Sequence, residues 1–466
     1  MSTTIAHGQY PQKRPNGLVR GSSAMVMGLT GVLSKGFLNG LNDLEVIGMD
    51  NFMELLESRA DPFQREKGLI TVSNHISVTI PTVSHYLTSM DDPLMWGVLP
   101  LRYAFQPWLL RWGLGAHDIC FKNKAFSTFF TLGQVLPIHR NKHSEHAGLF
   151  QPSMTQAIRL LSAYPFRVTG EHQQQQNQHQ QHEKTASAQS SLLHDLLRDP
   201  FTEGSLTYST TGRDVHTAPS AYLSNRHSWV HIFPEGLVHQ QHPDRHLRYF
   251  KWGVARLILE AEPAMPDLVP MFIDGTIDVM DERRGFPRAV PRPFKKVRVA
   301  FGDRVDMDAT FGDLRARWKA LVQKAADARE AEITAAERLI DEEEQRRRRR
   351  EGEGAARGAR RPKPAVDPGR TGIVAPLPKK VVTSVRKPDV LRVGELPEEL
   401  KHSREAEEIR IEVAFRVREE VLKVRRSLGY PDEDPAWGFG RAETWAKDPK
   451  DTKRSPVDGS VEKPST

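Results

Sequence analysis

The sequence predicts an α/β fold, with a central sheet flanked by helices, an N-terminal helix lying in a membrane interface, and disordered insertions. Three observations carry that prediction. Between residues 44 and 305, short β-rich runs alternate with helical stretches, the pattern of a layered structure with a mostly buried sheet. Near the N-terminus an uncharged apolar stretch is too short to cross a bilayer. Polar tracts interrupt the pattern further on, and they dilute the hydrophobic share to 38% beside 27% charged residues.

The first 42 residues contain no Asp or Glu but carry Lys13, Arg14, Arg20 and Lys35. Between Arg20 and Lys35 lie 14 uncharged residues, 21–34. A spanning helix needs about 20 residues at 1.5 Å each, so residues 1–42 read as a basic segment with an interfacial anchor, its cations at the headgroups. The alternative is an ordinary core helix. No small-residue cleavage site clearly follows the stretch, which disfavours a signal peptide.

The domain proper is expected over residues 43–310. Its β-rich runs are residues 69–72, 134–138, 229–233, 268–273 and 297–301, and its helical segments include 51–59, 124–132 and 250–262. Three of the runs lead to His75, Arg140 and Glu235. Functional groups gathered at the carboxyl ends of strands are the habit of open α/β sheets. A Gln/His tract, residues 171–184 within an insertion taken as 171–190, cannot bury apolar surface and is expected to be disordered. Its irregular histidine spacing argues against a metal site. From about residue 325 to 388, within a segment drawn as 311–400, four acidic residues (341–344) precede five arginines (346–350), which reads as a charged helix passing into a linker. Residues 401–432 return to helix: Ile409, Val413, Val417, Val421 and Val424 form one apolar stripe that packs back on the domain, and residues 433–466 read as a loose tail.

The net charge of +7 favours an anionic partner, either a phosphate-bearing lipid surface or nucleic acid. The arginine run has no aromatic residues interleaved to stack on bases, so no nucleic-acid partner is expected. The single cysteine, Cys120, excludes an internal disulfide and a Cys-based zinc cage.

Two strings concentrate the chemistry: Asn74-His75-Ile76-Ser77 and Asp91-Asp92-Pro93, the first of them just after the run at residues 69–72. An imidazole that strips a proton from a hydroxyl needs a carboxylate to hold its tautomer. The strings resemble the His-X4-Asp signature of the glycerolipid acyltransferases, in the tafazzin form Asn-His-X-Ser-X-X-Asp-Asp-Pro. Residues 133–140 resemble the second motif of that family, Trp229 to Gly236 the third, and residues 268–272 the fourth, all in the family's order.

The resemblance implies that His75 is the general base and Asp91 its orienting carboxylate, supported by Asn74, Ser77 and Asp92. It implies that Arg140, together with Phe233, Pro234, Glu235 and Gly236, binds substrate. Arg140 offers a planar fork for phosphate oxygens, or else is only a strand-end arginine; Glu235 could pair with it and hold the headgroup, or be a turn residue. No cofactor and no metal are expected. No Ser or Cys nucleophile with a matching base stands out, which favours direct transfer. The resemblance further implies acyl transfer from a phospholipid rather than acyl-CoA, remodelling cardiolipin; the alternatives are an acyl-CoA-dependent lysophospholipid or glycerol-phosphate acyltransferase, and a non-catalytic membrane-binding protein whose His75 and Asp91 the insertion has parted. The partners it implies are membrane cardiolipin, phosphatidylcholine and lysophospholipids. Its expected location is peripheral, on the outer or inner mitochondrial membrane facing the intermembrane space.

One departure stands out. Thirteen residues, 78–90, separate Ser77 from Asp91 where the family pattern has two. Removing 78–88 restores the motif, so the segment is either a genuine insertion or a splicing product. As a loop it is thermodynamically tolerable, since each doubling of loop length costs about 0.6 kcal/mol. His85 within it is an alternative base, with five residues rather than four before Asp91.

Overall fold

A computed structural model describes residues 17–61, 64–76, 91–141, 143–163, 207–208, 216–217, 227–240, 246–281, 290–358, 394, 396–445, 453–454 and 461–462. Ser77, residues 78–88 with His85, the 171–190 tract and residues 359–393 of the linker lie outside the described residues. The chain divides into two units, residues 1–318 with 391–466, and residues 319–390.

In the first unit the sheet is built from β1 (Asp43–Ile47), β2 (Leu69–Val72), β5 (Trp229–Ile232), β6 (Asp267–Asp274) and β7 (Lys296–Phe301), in the order β1-β7-β6-β2-β5. The pairs β1·β7, β2·β6 and β2·β5 are parallel, and β6·β7 is antiparallel. Two further strands, β3 (Gly113–Ala116) and β4 (Val135–Ile138), pair in parallel. They join the edge of β5 through a parallel bridge from Trp112 to Val230, with Trp112 N donating to Trp229 O at 2.7 Å and His231 N to Trp112 O at 2.8 Å. The carboxyl ends of β6, β2, β5, β3 and β4 therefore open on one edge. Full burial of β2 and β5 explains why neither shows the apolar–polar alternation of a half-exposed strand. Pro270 sits where β6 passes from pairing with β2 to pairing with β7.

Helices cover the sheet. α1 (Gly17–Leu41) is longer than the expected anchor and divides its faces. It buries Ser23, Met27, Gly28, Gly31, Ser34 and Leu38, and exposes Leu18, Met25, Leu29, Val32 and Leu33. Small residues let it approach closely: a Cβ on Gly28 would collide with the Phe105 ring, and one on Gly31 would lie 2.7 Å from Ala104 Cβ. Thus α1 is neither a plain core helix nor fully exposed. Its outer face is apolar, and no helix among the described residues is long and apolar enough to cross a membrane.

α2 (Met49–Ser58) places Phe52 against the rings of Trp229 and Phe301. α3 (Asp91–Trp96) starts at the candidate carboxylate, followed by α4 (Leu101–Ala104), α5 (His117–Cys120), α6 (Lys124–Leu132), α7 (Pro152–Leu161), α8 (Gly253–Glu260) and α9 (Thr276–Val279). α10 (Met307–Gly358) supplies Phe311, Leu314 and Trp318 to the core of this unit. After α11 (Glu398–His402), α12 (Arg404–Ser427) has a Ser403 cap accepting from Ala406 N. It buries Ile409, Val413, Val417, Val421 and Val424, the stripe read in the sequence. Each such side chain contributes about 1.5–3 kcal/mol against exposure.

Residues 433–445, expected to be loose, instead pack through aromatic side chains. The Trp445 ring lies 4.7 Å from that of His239, Arg248 stacks over Trp445, and Glu433 pairs with the buried Arg418. In the second unit the described residues are the helical stretch 319–358, where exposed Glu342 and Arg346 face each other one turn apart at 3.9 Å.

Candidate active site

The strand β2 ends at Val72, and the next residues fix the imidazole by its backbone. Asn74 Nδ2 donates to Ile273 O at 2.9 Å and Ile273 N donates to Asn74 Oδ1 at 2.8 Å, tying the turn to β6. Glu235 Oε1 accepts from His75 N at 2.9 Å, and His239 N donates to His75 O at 2.8 Å. The Phe233 ring stacks on the imidazole, with centroids 4.3 Å apart. The 233–239 turn thus contacts His75 at its N–H, its C=O and its ring.

Despite their separation along the chain, His75 and Asp91 meet: His75 Nδ1 lies 2.8 Å from Asp91 Oδ2. The same oxygen accepts the Ile76 N–H at 2.8 Å, and Thr276 Oγ1 donates to Oδ1 at 3.4 Å. A carboxylate surrounded by donors assigns the proton to Nδ1 and leaves the Nε2 lone pair for a substrate hydroxyl. The Asp91 side chain is fully buried while that of His75 keeps 15% exposure, so the base is reachable and its orienting acid is not.

Asp92 faces the other way. It accepts from Trp96 Nε1 at 2.8 Å and from Arg111 Nε at 2.9 Å, and forms an ion pair with Arg111. Burial opposes its ionisation, but Arg111 and the Trp96 donor outweigh that and hold its carboxyl below the usual range. It supports α3 rather than the imidazole. A second histidine, His231, is buried behind the site, with Nδ1 2.8 Å from Thr71 Oγ1 and Nε2 3.4 Å from Ser73 Oγ. Burial drives its pKa down to about 3, with Arg111 and His75 adding to the fall, so it stays neutral and serves packing. Burial, reinforced by Asp92 and Asp118, lifts the Cys120 thiol to about 12, which leaves no thiolate to act as a nucleophile.

The sequence assigned headgroup binding to Arg140 and Glu235, and allowed the two to pair. They do not. Glu235 is fully buried and spends its carboxylate on two backbone donors, His75 N and Arg248 N, the latter at 3.1 Å. Burial lifts its pKa to about 7, partly offset by those two N–H groups. Arg140 turns its fork to Asp118 through Nε at 2.9 Å and a second ion-pair contact. Burial raises the Asp118 pKa, but Arg140 and then His143 more than reverse this and hold it low. Pro234 and Gly236 shape the turn, and Gly236 adopts a φ of 68°, where a side chain would be strained.

Thr276 and His239 escaped the sequence reading. Thr276 follows the fourth motif, but nothing local signals that its hydroxyl reaches Asp91, because that depends on how β6 lies beside β2. The His239 contact is made by its backbone and carries no side-chain signature.

With this geometry in hand, comparisons with known proteins show what the chain is similar to. The acyltransferase family matches residues 56–274, which contain every group described around His75 except Thr276. The tafazzin of Saccharomyces cerevisiae is 34% identical over 286 residues, covering 60% of this chain. The chain resembles tafazzins over the region that carries the acyltransferase match. A tafazzin of Drosophila melanogaster is 28% identical over 63% of this chain, and an N-acylphosphatidylethanolamine synthase of Arabidopsis thaliana is 28% identical over 59%. The chain spans 62% of the yeast tafazzin, 54% of the fly tafazzin and 67% of the synthase. The tafazzin-like motif thus survives here with its His and Asp in contact.

Proposed function

We propose that this chain is a membrane-associated transacylase that moves a fatty acyl group from a phospholipid to the free hydroxyl of a lysophospholipid, without CoA, and thereby remodels cardiolipin. The observation that carries the reading is the 2.8 Å contact between His75 Nδ1 and Asp91 Oδ2, on an imidazole that keeps partial exposure. The resemblance to tafazzins supports the choice of a phospholipid donor and of a mitochondrial membrane facing the intermembrane space. The exposed apolar face of α1 supports peripheral attachment.

In the reaction, the lysophospholipid hydroxyl gives its proton to His75 Nε2 as its oxygen attacks the donor's ester carbonyl. Asp91 stabilises the imidazolium, and Phe233 stacks on the ring. Collapse of the tetrahedral intermediate breaks the original ester bond, and the departing glycerol oxygen takes the proton back from Nε2. The products are an acylated acceptor and a new lysophospholipid, so the exchange needs no external energy source. With Cys120 buried and neutral, direct transfer within a ternary complex is favoured over a covalent acyl-enzyme.

The test is acyl exchange in liposomes of phosphatidylcholine and lysophospholipid, including monolysocardiolipin, followed by mass spectrometry without CoA. Transfer at a rate that added acyl-CoA does not raise is expected. Strict dependence on acyl-CoA would overturn the donor assignment, and no transfer with either donor would overturn the function.

A further inference from the structure

The frame that holds the His75 backbone continues outward into the C-terminal segment. Glu235 Oε1 accepts from His75 N, and its other oxygen, Oε2, accepts from Arg248 N at 3.1 Å. His239 N donates to His75 O at 2.8 Å. Beside it, Gln240 Nε2 donates to Ile76 O at 3.0 Å, and Ile76 supplies the N–H that shares Asp91 Oδ2. His239 and Arg248 thus complete the grip on the base with backbone atoms, and their side chains converge on one residue, Trp445. The His239 ring meets the indole edge to face, with centroids 4.7 Å apart and planes at 84°. The Arg248 guanidinium carbon lies 4.8 Å from the centroid of the same indole.

Trp445 is itself fixed. Its Nε1 donates to Phe439 O at 2.8 Å, and the Phe439 ring lies 5.4 Å from its own. The same segment grips the chain just before Arg248: Glu433 Oε1 accepts from Leu247 N at 2.9 Å and pairs with Arg418. Arg418 in turn donates to Leu247 O at 2.7 Å and to Arg248 O at 2.9 Å. Trp445 therefore bridges the residue that locks the His75 C=O and the one that locks Glu235, the partner of the His75 N–H. An edge-to-face pair and a cation over a ring face both require an aromatic side chain.

We propose that Trp445 is a positioning residue for the acyl transfer: by pinning His239 to Arg248 it fixes the His75 backbone, and with it the reach of the imidazole to the attacking hydroxyl. This deepens the transacylase reading and rests on it. Trp445 acts through His239 and Arg248 rather than on the lipid, so its loss slows the chemical step and spares lipid binding. Misplacing a reacting group by about 1 Å can cost about a hundredfold, and an imidazole loosened rather than displaced should cost less, about tenfold.

The experiment uses the full chain as wild type, Trp445→Leu and Trp445→Phe, with Phe439→Leu as a milder variant that removes the ring behind Trp445 but keeps the carbonyl. In the exchange assay Trp445→Leu should lower kcat about tenfold with KM for lysophospholipid held, and Phe439→Leu about threefold. Trp445→Phe, which loses the Nε1 donor as Leu does but keeps a ring, should stay within about threefold of wild type. Equal losses for Phe and Leu, a rise in KM with kcat held, or no loss in Trp445→Leu would each overturn the proposal. In hydrogen exchange followed by mass spectrometry, peptides covering residues 73–76 should exchange faster in Trp445→Leu, and those covering 296–301 at the wild-type rate. An unchanged rate at 73–76, or an equal rise in both, would mean that Trp445 does not hold the His75 backbone. If wild type transfers no acyl group, the transacylase reading fails by itself, and hydrogen exchange still decides what Trp445 holds.

Discussion

Replacing Asp91 with Asn separates two jobs of the carboxylate, fixing the imidazole tautomer and stabilising its charge. In Ser-His-Asp triads the corresponding change costs about ten-thousandfold, because the imidazole settles in the wrong tautomer. Here the Ile76 N–H shares Oδ2 with His75 Nδ1, at 2.8 Å for each. If the Asn amide nitrogen turned toward Nδ1 it would also face the Ile76 N–H, leaving a buried donor unsatisfied at about 1–3 kcal/mol. The amide oxygen therefore stays inward, the NH2 turns toward Thr276, and the tautomer is kept. What is lost is the attraction between carboxylate and imidazolium, at most about 4 kcal/mol for charges 4 Å apart at an effective dielectric near 20, or about a thousandfold in kcat. The assay is kcat for acyl exchange at saturating lysophospholipid, with near-UV circular dichroism matched to wild type. Activity within tenfold of wild type would refute the role given to the charge. A loss well beyond a thousandfold, in a folded protein, would refute the retained tautomer.

The remaining predictions concern the spacer and the buried acid. Deleting residues 78–88 leaves four residues between His75 and Asp91, enough to connect groups already in contact, so acyl exchange should stay within about threefold and stability should rise by about 1 kcal/mol from the shorter closure. Loss of exchange in a folded deletion variant would mean the segment belongs to the site. Glu235 has a folded-state pKa of about 7 against an ordinary 4.5, so the folded chain binds more protons than the unfolded chain between those values. Its ionisation cost is absent below about pH 4.5 and complete above about pH 7, so it removes about 3 kcal/mol as pH rises through that window. Urea melts at pH 5 and pH 8 should therefore show a smaller fall in stability with rising pH for Glu235→Gln than for wild type. Equal falls would remove Glu235 as the source.

Much of this architecture was legible because its strands are buried on both faces. The run Leu-Ile-Thr-Val at 69–72 and Trp-Val-His-Ile at 229–232 carry β-branched or aromatic residues that only a covered sheet accommodates. By contrast β3, Gly-Leu-Gly-Ala, has no such signature. Its small residues are set by close neighbours, a Cβ on Gly115 falling 2.6 Å from Val135 Cγ1, and that is knowable only once β4 is in place. β1 was missed because it is a short edge strand in which Asp43 and Glu45 alternate with Leu44 and Val46, so no apolar run marks it. At the site, local motifs named Asn74, His75, Asp91 and the turn through Gly236, and the structure brings these groups together despite the long spacing to Asp91. Pairings that depend on which strands adjoin were not legible: Arg140 with Asp118, Glu235 with the His75 backbone, and Thr276 with Asp91. In the aromatic 433–445 segment, Trp437, Phe439 and Trp445 lie among charged residues, and that composition concealed a packed surface.

The most direct measurement is the initial rate of CoA-free acyl exchange by His75→Ala in liposomes, beside wild type at equal membrane-bound protein and equal near-UV circular dichroism. With the Nε2 base gone, exchange should fall at least a thousandfold, toward the rate of liposomes without protein. A rate within tenfold of wild type would mean that some other group takes the proton, and the account built on His75 and Asp91 would be wrong.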